Sequence, residues 1–187
     1  PEMRALADQY DVVCSAFFLE GDTIVSRERA ASISHVGYSL PLGTRIRLMP
    51  RSLPTFFSWQ PDEARLRMDR SDPPPTAAQR DQIESAMDFV RSHGFAVMTR
   101  TDESGRQPDS LEAFGAEADR PVAIQSRIDA GETYVVSAVM APVFNAQGRI
   151  EFVLSLMGFN APMSGAQIHA AGDALKAACN RIGAFLS

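Results

Sequence analysis

Apolar and polar positions follow two rhythms along this chain, and the changes between them mark out its elements. Residues 1 to 9 read as the end of a helix. VVCSAFFLEGDTIVSRE (12–28) is apolar on both sides of Glu20, Gly21 and Asp22, which predicts a pair of strands around a turn. TYVVSAVMAPVF, NAQG and RIEFVLSLMGF repeat that pattern more strongly, predicting an antiparallel hairpin at the centre of a sheet. Side chains alternate along a strand. Ile150, Phe152, Leu154 and Leu156 therefore share the face that packs on helices, while Glu151, Val153, Ser155 and Met157 share the other.

The helical rhythm appears twice. Ile83, Met87 and Val90 recur behind a start at Thr76, with Gly94 where a left-handed cap belongs, and FAVMT (95–99) follows as a strand. Ser164 and Gln167 form a capping-box pattern, after which Ile168, Leu175, Ile182 and Phe185 keep one apolar face through a long closing helix. Between these elements, LMPRSLPTFFSW suggests a short helix opened by Pro50 and Ser52, with Ser52 as N-cap and Pro54 in the first turn. DRSDPPPT is a linker, because consecutive prolines lack amide donors and disfavour helix before them. Residues 100–120 are a polar, acidic surface excursion with a short helix near Leu111 to Phe114. Hairpins without regular βα alternation imply an α+β fold, an antiparallel sheet covered by helices, in one domain spanning residues 1–187.

Composition adds limits. With 187 residues, 45% hydrophobic and 22% charged, the chain is long and apolar enough to bury a core. Its formal net charge of −5 offers no general attraction to a phosphate backbone, so DNA contact by these residues themselves is not expected. The two cysteines, Cys14 and Cys179, lie in apolar segments and read as reduced and buried. No apolar run approaches the roughly 20 residues that cross a bilayer, and the chain reads as cytoplasmic.

Chemistry leaves a fainter mark. His35, His93 and His169 have no partner at metal-ligand spacing, and the motifs of a nucleophile elbow, a phosphate-cradling loop and HExxH are absent, so neither metal, cofactor nor catalytic residue is assigned. Asp102 and Glu103 read as solvated. Arg45, Arg47 and Arg51 form a basic knot around Ile46, Leu48 and Met49 just before a helix start, a cradle suited to an organic carboxylate. The alternative for these arginines is pairing with the surplus surface acids. The strand face with a hydroxyl at Ser155 and a thioether at Met157 could line a pocket with few polar groups, or hold a satisfied core hydroxyl.

The ordered segments, namely LEGDTIVSRE, GTRIRLMPRS followed by FFSW, VRSHGFAV, and above all VMAPVFNAQGRIEFVLSLMGF with the closing helix, resemble the effector-binding domain of the IclR family of bacterial transcription regulators. That resemblance implies a GAF-like domain with a roughly six-stranded antiparallel sheet, flanking helices and a pocket on one sheet face. It also implies a homodimer or tetramer that reaches DNA only through a winged helix-turn-helix domain preceding Pro1. By position it places effector contacts at Arg51 and Ser52 in the loop, at Asp129 ahead of the hairpin, and at Ala138, Ser155 and Met157 on the hairpin strands. Where the family has proline this chain has Arg47, where it has glycine Leu53, and two often polar pocket positions are Ala138 and Met157. A drier pocket beside Arg47 and Arg51 points to an apolar or aromatic carboxylic acid rather than a small polar one. Two other readings are an oligomerisation scaffold whose pocket is filled, and an enzyme on a GAF-like fold, which would need a poised base or nucleophile.

Overall fold

The computed structural model describes residues 1–35, 40–101 and 121–186. Helix α1 (Glu2–Tyr10) leads into the hairpin β1 (Val13–Glu20) and β2 (Thr23–Ala31). The short strand β3 (Arg45–Arg47) precedes a 3-10 turn (Pro50–Ser52), α2 (Leu53–Phe57), α3 (Pro61–Arg70) and α4 (Ala77–His93). Strands β4 (Ala96–Arg100) and β5 (Val122–Ile124) follow, then β6 (Thr133–Tyr134), β7 (Val136–Phe144), β8 (Ile150–Met157), β9 (Met163–Ser164) and α5 (Gly165–Phe185). The acidic stretch with its helix near Leu111, including Asp102 and Glu103, lies outside the described residues, as do residues 36–39.

Seven strands form one antiparallel sheet in the order β3-β2-β1-β8-β7-β4-β5, while β6 and β9 pair separately. The fold is α+β, and the hairpin β7–β8 does sit at the middle of the sheet. The sheet exceeds the roughly six strands expected because three-residue strands, β3 and β5, close its two edges.

Local chemistry explains the helix starts. Thr76 Oγ1 accepts the Gln79 amide at 3.2 Å while Gln79 Oε1 accepts the Thr76 amide at 2.9 Å, and Ser164 and Gln167 repeat the exchange at 3.1 and 2.9 Å. Each box satisfies two orphan donors, and the capping side chain alone contributes about 1 kcal/mol. Ser52 behaves differently. Its backbone is already helical and its side chain makes no cap bond, because the 3-10 turn begins earlier, at Pro50, behind an extended Met49. The segment after Trp59 forms α3, an element the hydrophobic rhythm does not announce: only Ala64 and Met68 are buried in it.

The long helix α5 packs along β7, with α1 beside it, and α2 lies over β7 and β8 on the other side of the sheet with α4 packed against it. Towards α5 point Cys14, Ala16, Val139, Ala141, Leu154 and Leu156, paired across the strands and buried. Phe152, on the same face, stacks on Phe18 with ring centroids 4.9 Å apart. The apolar face read for α5 ends before Phe185, which is 87% exposed in the last turn; Ile168 and Leu175 are fully buried and Ile182 partly so.

Candidate functional site

The sheet face turned away from α5 is built in rungs. Register sets Val13 beside Met157, Met157 beside Ala138, Ala138 beside Met98 and Met98 beside Ile124. One rung along, Ser15 stands beside Ser155 and Ser155 beside Met140. This brings three of the expected residues, Ala138, Ser155 and Met157, onto one face. It also adds one that motif reading missed, Ser15, whose only signal was its apolar-alternating place in the first strand.

Ser15 and Ser155 are completely buried, and neither Oγ has a hydrogen-bond partner. The same holds for Ser26 Oγ on β2 and Thr55 Oγ1 in α2. A buried hydroxyl without a partner costs about 1–3 kcal/mol. Of the readings open for Ser155, the satisfied core hydroxyl is therefore not what the structure shows. The Ser15–Ser155 pair is a polar floor set among Val13, Phe17, Met140, Val153 and Met157.

The first rung ends on Ile124, and Ile124 also lines the wall of a cleft of about 820 Å³. The cleft is enclosed by the loop 47–51, the linker 71–75, the first turns of α4 and residues 122–126. Prolines 73–75 form one wall, so the linker has a structural use beyond spacing. Its polar lining is Gln79 and Gln82 on α4, Gln125, Ser71, Ser126, Asp72, and the two arginines Arg47 and Arg51. Gln82 Nε2 donates to the Ile124 carbonyl at 2.9 Å and Gln125 Nε2 to Thr99 Oγ1 at 2.7 Å, which fixes this wall.

The basic knot divides. Arg45 pairs with Glu20 at 3.0 Å, as expected of a surface cation among acids. Among the described residues, no side-chain hydrogen bond or ion pair holds Arg47 or Arg51, and both line the cleft. Two guanidiniums without a side-chain partner, in a cleft of mixed polar and apolar lining, are disposed to receive a carboxylate, which matches their fork of donors.

Of the expected residues only Arg47 and Arg51 line this cleft: Ala138, Ser155 and Met157 stay on the sheet face outside its lining, and Ser52 and Asp129 lie elsewhere. Ser52 sits half-buried at the junction of the 3-10 turn and α2. Asp129 is engaged on the turn before β6: its carboxylate accepts Arg127 Nε at 2.6 Å, its amide donates to the Tyr134 hydroxyl at 2.9 Å, and its carbonyl accepts the Glu132 amide at 3.1 Å. The Asp129 carbonyl also abuts Gly165, where any Cβ would collide with it. Burial raises the Tyr134 hydroxyl above its ordinary pKa, so it stays a neutral donor and acceptor within this turn.

Among the described residues, the cysteines and histidines are held in structural surroundings. Burial pushes the thiols of Cys14 and Cys179 up to about 12, which leaves them protonated and inert at neutral pH. Both thiols are expected to resist iodoacetamide in the folded chain and to react fully in denaturant; rapid labelling of either without denaturant would contradict this. His93 and His169 do meet, 5.2 Å apart between ring centroids, among Phe89 and Phe95. One nitrogen of each bonds a backbone carbonyl, Phe89 O and Ile128 O, both at 3.0 Å. Among the described residues no group of three metal-ligating side chains forms, and no helix is long and apolar enough to cross a membrane.

No family model matches the sequence, and no curated protein matches it. Solved structures do match in fold. An IclR transcriptional regulator from Alicyclobacillus acidocaldarius superposes with a TM-score of 0.65 at 16% identity, covering 100% of this chain and 65% of that one. A domain of a transcriptional regulator of the IclR family superposes at 0.65 and 17% identity, covering 100% of this chain and 92% of that one. The IclR of Thermotoga maritima superposes at 0.64 and 13% identity, over 99% of this chain and 65% of that one. The chain therefore carries a fold found in IclR-family transcriptional regulators, and it spans about 65% of the length of the two longer ones.

Proposed function

We propose, starting from a chain with the fold of IclR-family regulators, that it is a small-molecule-sensing domain that binds an apolar or aromatic carboxylic acid and performs no chemistry on it. The observation that carries this reading is the unpaired Arg47 and Arg51 lining a cleft of about 820 Å³ beside apolar residues, in a protein of formal net charge −5. Uncompensated arginines are retained at such a site when an anion uses them. The carboxylate sits at Arg47 and Arg51, and the apolar body lies along Ile83 and Ile124 toward the rung of Met98, Ala138 and Met157. Ser155 offers the polar contact at the inner end, while Ser52 and Asp129 take part only through the loop and turn that carry them. By analogy with the regulators of this fold, the domain acts as a homodimer or tetramer in the cytoplasm. Ligand binding shifts the relation between two subunits and thereby the spacing of DNA-binding domains joined to them.

Thermal unfolding against a panel of aromatic and aliphatic monocarboxylic acids tests this. A ligand at a hundred times its dissociation constant stabilises the native state by about 2.7 kcal/mol. The midpoint is expected to rise with acids, not with the matching primary amides, and the rise is expected to vanish in Arg47→Ala/Arg51→Ala. A shift with neutral sugars alone, or none with any acid, would sink the reading and favour the scaffold with a filled pocket.

A further inference from the structure

Arg47 lines a second, smaller cavity of about 180 Å³ on the other side of the ridge formed by Leu48, Met49 and Pro50. Arg67, Arg70, Asp22 and Glu63 complete its charged lining. Arg67 engages both acids at once: its Nε donates to Glu63 and its Nη1 to Asp22, each at 2.9 Å, while its guanidinium lies 4.6 Å over the Phe57 ring. The trio keeps one net negative charge, and Arg47 and Arg70 make no ion pair of their own among the described residues. The Arg70 side chain makes no hydrogen bond or ion pair among the described residues, and it stands in the last turn of α3, where the helix C-terminus favours a cation.

The two cavities share Arg47, Leu48, Met49, Pro50 and Ser71. Around this common ridge stand three unpaired guanidiniums, Arg47, Arg51 and Arg70, against one free carboxylate, Asp72, in a chain whose formal net charge is −5. A single carboxylate held by Arg47 and Arg51 leaves Arg70 unanswered. We infer that the ligand carries two anionic groups: one is bound by Arg47 and Arg51 in the larger cleft, and the other reaches across the ridge to Arg70. The ligand class is a dicarboxylic acid with an apolar spacer. This rests on the acid-binding reading above and narrows its ligand.

Isothermal titration calorimetry with length-matched pairs tests it: succinate against butyrate, adipate against hexanoate, suberate against octanoate. One spacer length is expected to give the diacid about a five- to tenfold advantage over its monoacid at low ionic strength. That advantage shrinks toward unity as salt screens the partly exposed Arg70 contact. Arg70→Ala is expected to bring the diacid-to-monoacid ratio to about one. Arg149→Ala, which removes a charge from the β7–β8 turn, is expected to leave the ratio as it is. Equal binding of mono- and diacids at every length, or a diacid advantage that survives Arg70→Ala, overturns the inference while acid sensing stands. Failure of every acid to bind removes both.

Discussion

Replacing Phe95 by alanine is expected to lower the unfolding free energy by about 4 kcal/mol, in the range found for emptied aromatic core sites. Phe95 is fully buried at the entry to β4, edge-on to Phe89 at 5.8 Å and near both His93 and His169. It also packs directly on α5: a Cβ on Gly172 would stand 2.5 Å from three atoms of the Phe95 ring. The glycine and the ring are therefore one feature. Gly172→Ala alone gains about 1 kcal/mol of helix propensity and loses about 1–3 kcal/mol to overpacking against a rigid ring, for a net loss. In the Phe95→Ala background the ring is gone and the propensity gain remains, so the same substitution becomes stabilising by about 1 kcal/mol. Denaturant titration of the four proteins in this cycle measures the reversal. Equal effects of Gly172→Ala in both backgrounds would show that the contact does not set α5 on the sheet.

What this cluster anchors bears on the site. His169 bonds the Ile128 carbonyl, and Gly165 admits the Asp129 carbonyl against the start of α5. The turn bearing Asp129 is thus fastened to the same helix that Phe95 and Gly172 seat. On the proposed function, a ligand in the cleft touches residues 122–126, a few residues ahead of this fastened turn.

The parts of this arrangement that show in the sequence are those decided locally. Hairpins β1–β2 and β7–β8 turn at Gly21 and Gly148, both at positive φ, and α4 and α5 begin with capping residues that act within three positions. Strands β3 and β5 are not visible in that way: three residues each, wholly exposed in the case of Arg45–Arg47, they are strands because a longer neighbour offers an edge. Helix α3 lacks an apolar stripe and is held by ion pairs such as Arg65 with Glu84 at 2.8 Å. The site divides the same way. The basic knot is a run of neighbours and is plain in the sequence, but whether each arginine finds a carboxylate depends on elements far apart in the chain. Glu20 reaches Arg45, while none of the described acids reaches Arg47 or Arg51. The cleft itself needs a proline wall, glutamines on α4 and the β5 edge, contributed by three separated segments.

The Ser15–Ser155 floor gives the second large expectation, with stability and binding moving in opposite directions. Each hydroxyl is buried without a partner, so removing its oxygen removes a desolvated group and no hydrogen bond. Ser15→Ala and Ser155→Ala are each expected to stabilise the ligand-free domain by about 1 kcal/mol, and together by about 2 kcal/mol. In a chain of this size each kcal/mol corresponds to about 2–4 °C in the unfolding midpoint. The side chains stand opposite one another on β1 and β8 and do not bond to each other; as cross-strand neighbours they are close enough to couple, and any departure of the double variant from the sum of the singles measures that coupling. On the proposed function, a ligand that extends from the cleft to this face supplies the missing bonds. The double variant is accordingly expected to melt higher without ligand and to show a smaller acid-induced rise than the parent. Calorimetric scans of both proteins with and without the best acid of the panel give the two numbers at once. If removing the hydroxyls lowers the ligand-free midpoint, they are already satisfied within the resting domain and the polar floor is structural. If the midpoint rises and the acid response is unchanged, the ligand stays in the outer cleft at Arg47 and Arg51 without reaching the sheet.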